Sequence, residues 1–127
     1  MNLDGFHAAV AAALEGLDPE WVVHPDPVDN LQPPCFLVQA AFDWFNEQTP
    51  CTDMAEVEVI VVGGRLTPEG GYPLIRAMTD TARNALAAAG LRPYRGTRPE
   101  AFPIAQVTYL AAHLFIRRPV ELTVGGL

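Results

Sequence analysis

The chain has 127 residues, half of them hydrophobic and 18% charged, with a formal net charge of −7 at pH 7. That length suits one domain with a real core, and no apolar run reaches the roughly 18 residues that a membrane span requires. Lysine and serine are both absent, which removes a serine nucleophile, a Schiff-base lysine and a P-loop lysine together.

Charge is distributed unevenly along the chain. Residues 1–64 hold eleven acids and no arginine, whereas residues 65–127 hold four acids and all eight arginines. Such asymmetry suits head-to-tail association, the acidic part of one copy meeting the basic part of the next. Interleaving of the two halves in the fold would erase it in space. Met1 to Leu17 lacks the basic start and cleavage pattern of a signal peptide, so a cytoplasmic chain with reduced Cys35 and Cys51 is expected.

Leu3, Phe6, Val10, Ala13, Leu14 and Leu17 recur at helical steps and predict a first helix over about Leu3 to Glu15, capped by Asn2 or Asp4 and ended at Gly16. Trp21 to His24 is a short strand candidate, and Pro25 to Asn30 an irregular loop. From Cys35 to Phe45 the even positions Phe36, Val38, Ala40, Phe42 and Trp44 are apolar, which predicts a strand with that face in the core. Asn46 to Asp53 reads as the loop of a long hairpin.

Glu56 to Val62 follows as a central strand. Val57, Val59 and Val61 share one face, and Ile60 and Val62 make the second half apolar on the other as well. Tyr72 to Ala89 spaces Leu74, Ile75, Met78, Ala82, Leu86 and Ala89 along one side of a second helix, with Pro73 in its first turn and Gly90 at its stop. Leu91 to Pro103, with three arginines, three prolines and Gly96, reads as a basic loop. Thr108 to Ile116 is a last strand, with Leu110, Ala112, Leu114 and Ile116 facing one way and Tyr109, Ala111, His113 and Phe115 the other. The fold class is therefore α+β, a single domain over 1–127 with one mixed or mainly antiparallel sheet of about four strands flanked by two helices. A flexible tail is expected over 120–127.

No motif dictates chemistry. Gly63-Gly64 and Gly70-Gly71, between strand and helix, invite phosphate at a helix start, but they match neither the dinucleotide fingerprint nor the P-loop, and Glu69 would repel the anion. A plain turn is preferred. His24, His113, Cys35 and Cys51 lack the close spacing of a zinc site, and nothing brings either cysteine to a helix start beside a histidine. Glu56 and Glu58 share one strand face and read as a solvated or interface edge. Arg117 and Arg118 point to opposite faces, and one of them suits an acid on a neighbouring subunit. Arg92, Arg95 and Arg98 form at most a small basic patch.

The element order, together with the strands Pro33-Pro34-Cys35-Phe36-Leu37-Val38 and Tyr109-Leu110-Ala111-Ala112-His113-Leu114-Phe115-Ile116, resembles the tail terminator and head-tail joining (neck) proteins of long-tailed bacteriophages. The likeness covers nearly the whole chain and rests on layout and on those two strands. It implies a virion subunit with its sheet between helices, assembled in the host cytoplasm as a ring, typically of six. The ring would cap the tail tube, stop its polymerisation and join the tail to a head-completion or connector protein.

The implied partners are thus other copies of the chain, the major tail tube protein and the connector. No cofactor, metal or membrane enters the scheme, and DNA passes through the lumen without specific binding. An acidic lumen would let it slide. Candidate subunit contacts are Arg65, Glu56, Glu58, Arg117 and Arg118, and candidate lumen or partner-facing residues are Asp26, Asp29, Glu47, Asp53, Arg92, Arg95 and Arg98. The alternatives are a small enzyme or ligand-binding domain using the Gly63–Gly71 loop with Cys35 or His113, and a regulatory or chaperone-like dimer covering a sheet edge.

Overall fold

The computed structural model describes residues 1–67 and 71–121. Two helices and five strands follow in the order α1 (Leu3–Leu14), β1 (Val22–His24), β2 (Cys35–Thr49), β3 (Thr52–Arg65), α2 (Tyr72–Ala88), β4 (Arg95–Ile104) and β5 (Val107–Glu121). The strands form one open mixed sheet in the order β1-β2-β3-β5-β4. Only the β1–β2 pair is parallel. The α+β class holds, with five strands where about four were expected.

β3 is the middle strand, and its alternation explains why. Val57, Val59 and Val61 are fully buried with Phe6, Val10 and Leu14 of α1 and Ile75, Met78, Ala82 and Leu86 of α2 in one apolar cluster. Ile60 and Val62 are buried on the opposite face with Leu31, Cys35, Leu37, Tyr109 and Ala111. Leu110, Ala112, Leu114 and Ile116 of β5 join the helix-side cluster as their spacing predicts. Both helices therefore lie on one face of the sheet, and the arrangement implied by the phage resemblance, a sheet between helices, is not the one found.

Local chemistry sets the helix ends. Asn2 caps α1, its Oδ1 accepting from the Gly5 amide at 2.7 Å, and Gly16 leaves the helix at φ +74. Pro73 sits in the first turn of α2. Gly90 ends it at φ +76, and the Leu91 amide reaches back to the Leu86 carbonyl at 2.8 Å. Leu74 and Ala89, both expected on the stripe, are exposed, Ala89 as the residue that caps the helix end; the stripe is Ile75, Met78, Ala82 and Leu86.

Four expectations change in the sheet. First, Asn46 to Asp53 is not a loop, because β2 and β3 stay paired out to Thr49↔Thr52 and only Pro50 and Cys51 turn the chain. Second, the alternation of β2 breaks at a register shift between Ala40 and Phe45. Ala40, also expected in the core, is already exposed beside the shift, within which Ala41 is buried and Phe42 turns out to full exposure, while Trp44 and Phe45 are half-exposed. Third, Leu91 to Pro103 is not all loop, since Arg95–Ile104 pairs with β5 as an edge strand. Its prolines are tolerated there because an edge strand leaves alternate amides without ladder partners. Fourth, β5 runs on through Pro119 to Glu121, with Val120 buried. Of the tail expected over 120–127, the residues 122–127 lie outside the described residues.

Gly63 is where α2 meets its preceding strand. A Cβ there would stand 2.5 Å from Ile75 Cγ1, whereas one on Gly64 would meet nothing within 4 Å. Gly63→Ala is therefore expected to cost about 1–3 kcal/mol through overpacking, and Gly64→Ala about 0.5 kcal/mol or less. Urea denaturation of the two variants side by side checks the difference.

Candidate assembly surface

The strand order decides what becomes of the charge asymmetry. The three strands from the acidic half, β1, β2 and β3, lie together, and β5 and β4 from the arginine-bearing half complete the sheet on the other side. The two halves adjoin at β3 and β5, where Glu56 faces Arg117. Beyond that seam, where Asp43 also shares a pocket with Arg117, the remaining charges of the two halves stay apart. Asp43 and Glu47 lie on β2, whereas Arg95 and Arg98 lie on β4 and Arg76 and Arg83 on α2.

Both borders of the sheet are open among the described residues. β1 pairs only with Cys35, Phe36 and Leu37, so the remainder of β2 has no outer neighbour, and β4 has none along its length. Such edges offer unpaired amides and carbonyls to another chain unless they are blunted. The β2 border carries the exposed Phe42, Trp44 and Phe45, the last two with ring centroids 5.8 Å apart. At its tip Glu47 stands directly opposite Asp53, a like-charged cross-strand pair that a cation would relieve.

The sheet face away from the helices divides in two. Near β1 it is apolar and closed by Leu31 and Tyr109. Further along, Glu56 accepts from the Tyr94 hydroxyl and, at 3.1 Å, from Arg117 Nε. The Arg117 guanidinium lies 4.1 Å over the Tyr94 ring, and Arg95 sits 4.1 Å over Phe115. Glu58 takes Gln39 Nε2 at 3.2 Å and His113 Nδ1 at 3.0 Å. The His113 ring stacks on Phe115 and meets Phe102 edge-on.

Glu56 and Glu58 are thus not an edge, because their strand is central and each carboxylate has partners within the chain. Of the candidate subunit contacts, Glu56, Glu58 and Arg117 are joined in these networks, while Arg65 closes the far end of β3 and is exposed. Arg118 is half-buried on the opposite face from Arg117 and has no ion pair among the described residues. Asp26 and Asp29 are exposed in the loop after β1, where Asp26 lies 3.9 Å from His7 Nε2. Glu47 is exposed and Asp53 largely buried. Arg92, Arg95 and Arg98 are exposed at the β4 border, Arg98 held by Glu100 at 2.9 Å.

The residues proposed for the alternative chemistry do not converge. His113 reaches a carboxylate, Glu58, but not the Cys35 thiol, which is fully buried in the apolar half beside the Gln32 backbone. Burial pushes that thiol up to about 12, so it stays protonated at neutral pH. Cys51 is exposed at the hairpin turn. Among the described residues no three His, Cys, Asp or Glu gather as a metal site would need, and no helix is long and apolar enough to cross a membrane. The middle of the Gly63–Gly71 loop, residues 68–70, lies outside the described residues. No family model matches the chain, and no curated protein matches it in sequence.

Two measurements follow from this geometry. Ellman's reagent should titrate Cys51 quickly in the native protein and Cys35 only on unfolding. The second concerns Tyr94, whose pKa is raised by partial burial, then by the Glu56 hydrogen bond and charge, against Arg117 and Arg95. The folded chain holds this proton more tightly than the unfolded one, so the associated stability is complete below the ordinary tyrosine value of about 10 and is lost as pH rises through the folded value. Urea midpoints above pH of about 10 should accordingly fall more steeply for the wild type than for Tyr94→Phe.

Proposed function

We propose that the chain is a structural subunit of a phage virion, of the tail terminator or head-tail joining kind, and that it works through its interfaces rather than through covalent chemistry. In this reading copies join head to tail into a closed ring and not a stack of two-fold dimers, since an isologous contact of either border would set like charges against each other. The ring caps the tail tube, ends its growth and receives the connector of the filled head. DNA passes through the centre without specific contacts.

The observation that carries the reading is the lateral separation of charge across a sheet with two open borders. One border is acidic and aromatic, the other rich in arginine. An interface built from two different surfaces generates a ring when its rotation closes. The protonated, buried Cys35 also supports a role without a thiolate nucleophile.

Deleting the gene from the phage that carries it is expected to give tails of uncontrolled length that do not join heads, with both defects restored by the intact gene in trans. Electron microscopy of the purified chain mixed with tail tubes should show a ring at one tube end. Normal tail length and normal head joining in the deletion strain would overturn the reading.

A further inference from the structure

We infer that Phe42 and its acidic flank form a knob that seats in a groove between α2 and β4 of a second copy of this chain. The inference rests on the ring reading and names the surfaces by which its subunits would meet. Phe42 lies in the register shift of β2, where the backbone leaves the ladder, and its side chain is fully exposed. An aromatic ring held out on a shift in an open border is placed for contact, because shifts of this kind re-aim a side chain away from its own sheet. Asp43 follows it directly, and the opposed Glu47 and Asp53 lie further out on the same hairpin.

The complementary surface lies on the other side of the sheet. Ile75, Thr79 and Arg83, one helical turn apart on α2, face Thr97, Pro99 and Ala112 across a groove of about 370 Å³. That space suits one aromatic side chain. Its floor is apolar, formed by the buried Ile75 and Ala112, and its rim carries Arg76 together with Arg83 and Asp80, which pair at 3.2 Å, so that one positive charge is in excess. Within it the Thr79 hydroxyl is buried without a hydrogen-bond partner among the described residues.

The charges choose the occupant. The knob is flanked by acids, and the groove keeps a net positive charge through Arg76, its Arg83 being paired with Asp80, so the two surfaces attract, whereas knob against knob would repel. Knob and groove sit on opposite sides of the sheet, so each copy can use both at once, which is the requirement for a head-to-tail ring.

The test uses two variants of the full chain. Phe42→Asp removes the knob, and Arg76→Glu reverses the charge of the groove; both side chains are exposed and neither has an ion pair among the described residues, so native far-UV circular dichroism and an unshifted urea midpoint should accompany both. Phe42→Asp alone is expected to lose self-association by about 30-fold or more, as for an aromatic at the centre of an interface, and Arg76→Glu alone by about tenfold or more, since it sets a like charge against the acids of the knob. Mixed together, the two should form a heterodimer and nothing larger, since only one intact knob and one intact groove remain between them. Sedimentation velocity distinguishes these outcomes. Wild-type oligomers that persist unchanged in both variants would overturn the knob and groove while leaving the ring reading in place, as would variants that keep their rings and lose only the tail tube. A wild-type chain that stays monomeric at every concentration, with and without tail tubes, would overturn both.

Discussion

The structure depends on the burial of β3 on both of its faces. Val57, Val59 and Val61 pack under the two helices while Ile60 and Val62 pack on the other side, and a β-strand apolar on both faces is stable only between neighbouring strands and beneath cover. Each such side chain contributes on the order of 1.5–3 kcal/mol when fully buried, so the strand must sit in the middle of the sheet. Once β3 is central, β2 can pair on one side by a short hairpin and β5 on the other. The acidic and basic halves of the chain then fall on opposite sides.

The helices add a second constraint. Both lie on the same face, with Gly63 allowing Ile75 to close on the strand. Among the described residues no helix covers the other face, and it is finished differently along its length. Its apolar half is closed by Leu31 and Tyr109. Its polar half is closed by Glu56 with Tyr94 and Arg117, and by Glu58 with Gln39 and His113. Buried or half-buried carboxylates are costly unless they are hydrogen-bonded, and here every one of these partners comes from within the chain. The networks thus account for residues that, in sequence, look like candidates for acid–base work or for contact with another subunit.

What the sequence made legible follows from where periodicity speaks. The two helices, the central strand and the two faces of β5 show in apolar spacing because burial imposes it. β4 did not, since Gly96, Pro99 and Pro103 look like loop residues, and the turn into β5 uses Ala105 and Gln106 at positive φ rather than glycine or asparagine. The outer hairpin was missed for a related reason: Asn46 to Asp53 is polar on both faces, and its strands are held by backbone pairing that leaves no mark on side-chain pattern. Phe42 reads as core because the apolar alternation continues through it, across the register shift between Ala40 and Phe45. The consecutive aromatics Trp44 and Phe45 interrupt the alternation and are the one local sign of it. Arg117 was legible as a charge but not as the partner of Glu56, which requires the β3–β5 register.

An antiparallel meander can place successive halves of a chain side by side or interleave them, and the choice has consequences for association. Here the crossover through α2 carries the chain from β3 past the position of β5 to the outer strand β4, and β5 then returns to fill the gap. The β4–β5 hairpin therefore lies wholly on one side, and apart from Arg117, which lines one pocket with Asp43, its arginines and those of α2 stay away from the acids of β2. A subunit with the same composition but alternating halves would present similar borders on both sides and would favour symmetric, two-fold contacts. With unlike borders the attraction is directional, and screening over about 8 Å at physiological salt confines it to surfaces that actually meet. Directional attraction between unlike borders is what a repeating ring needs from each of its members.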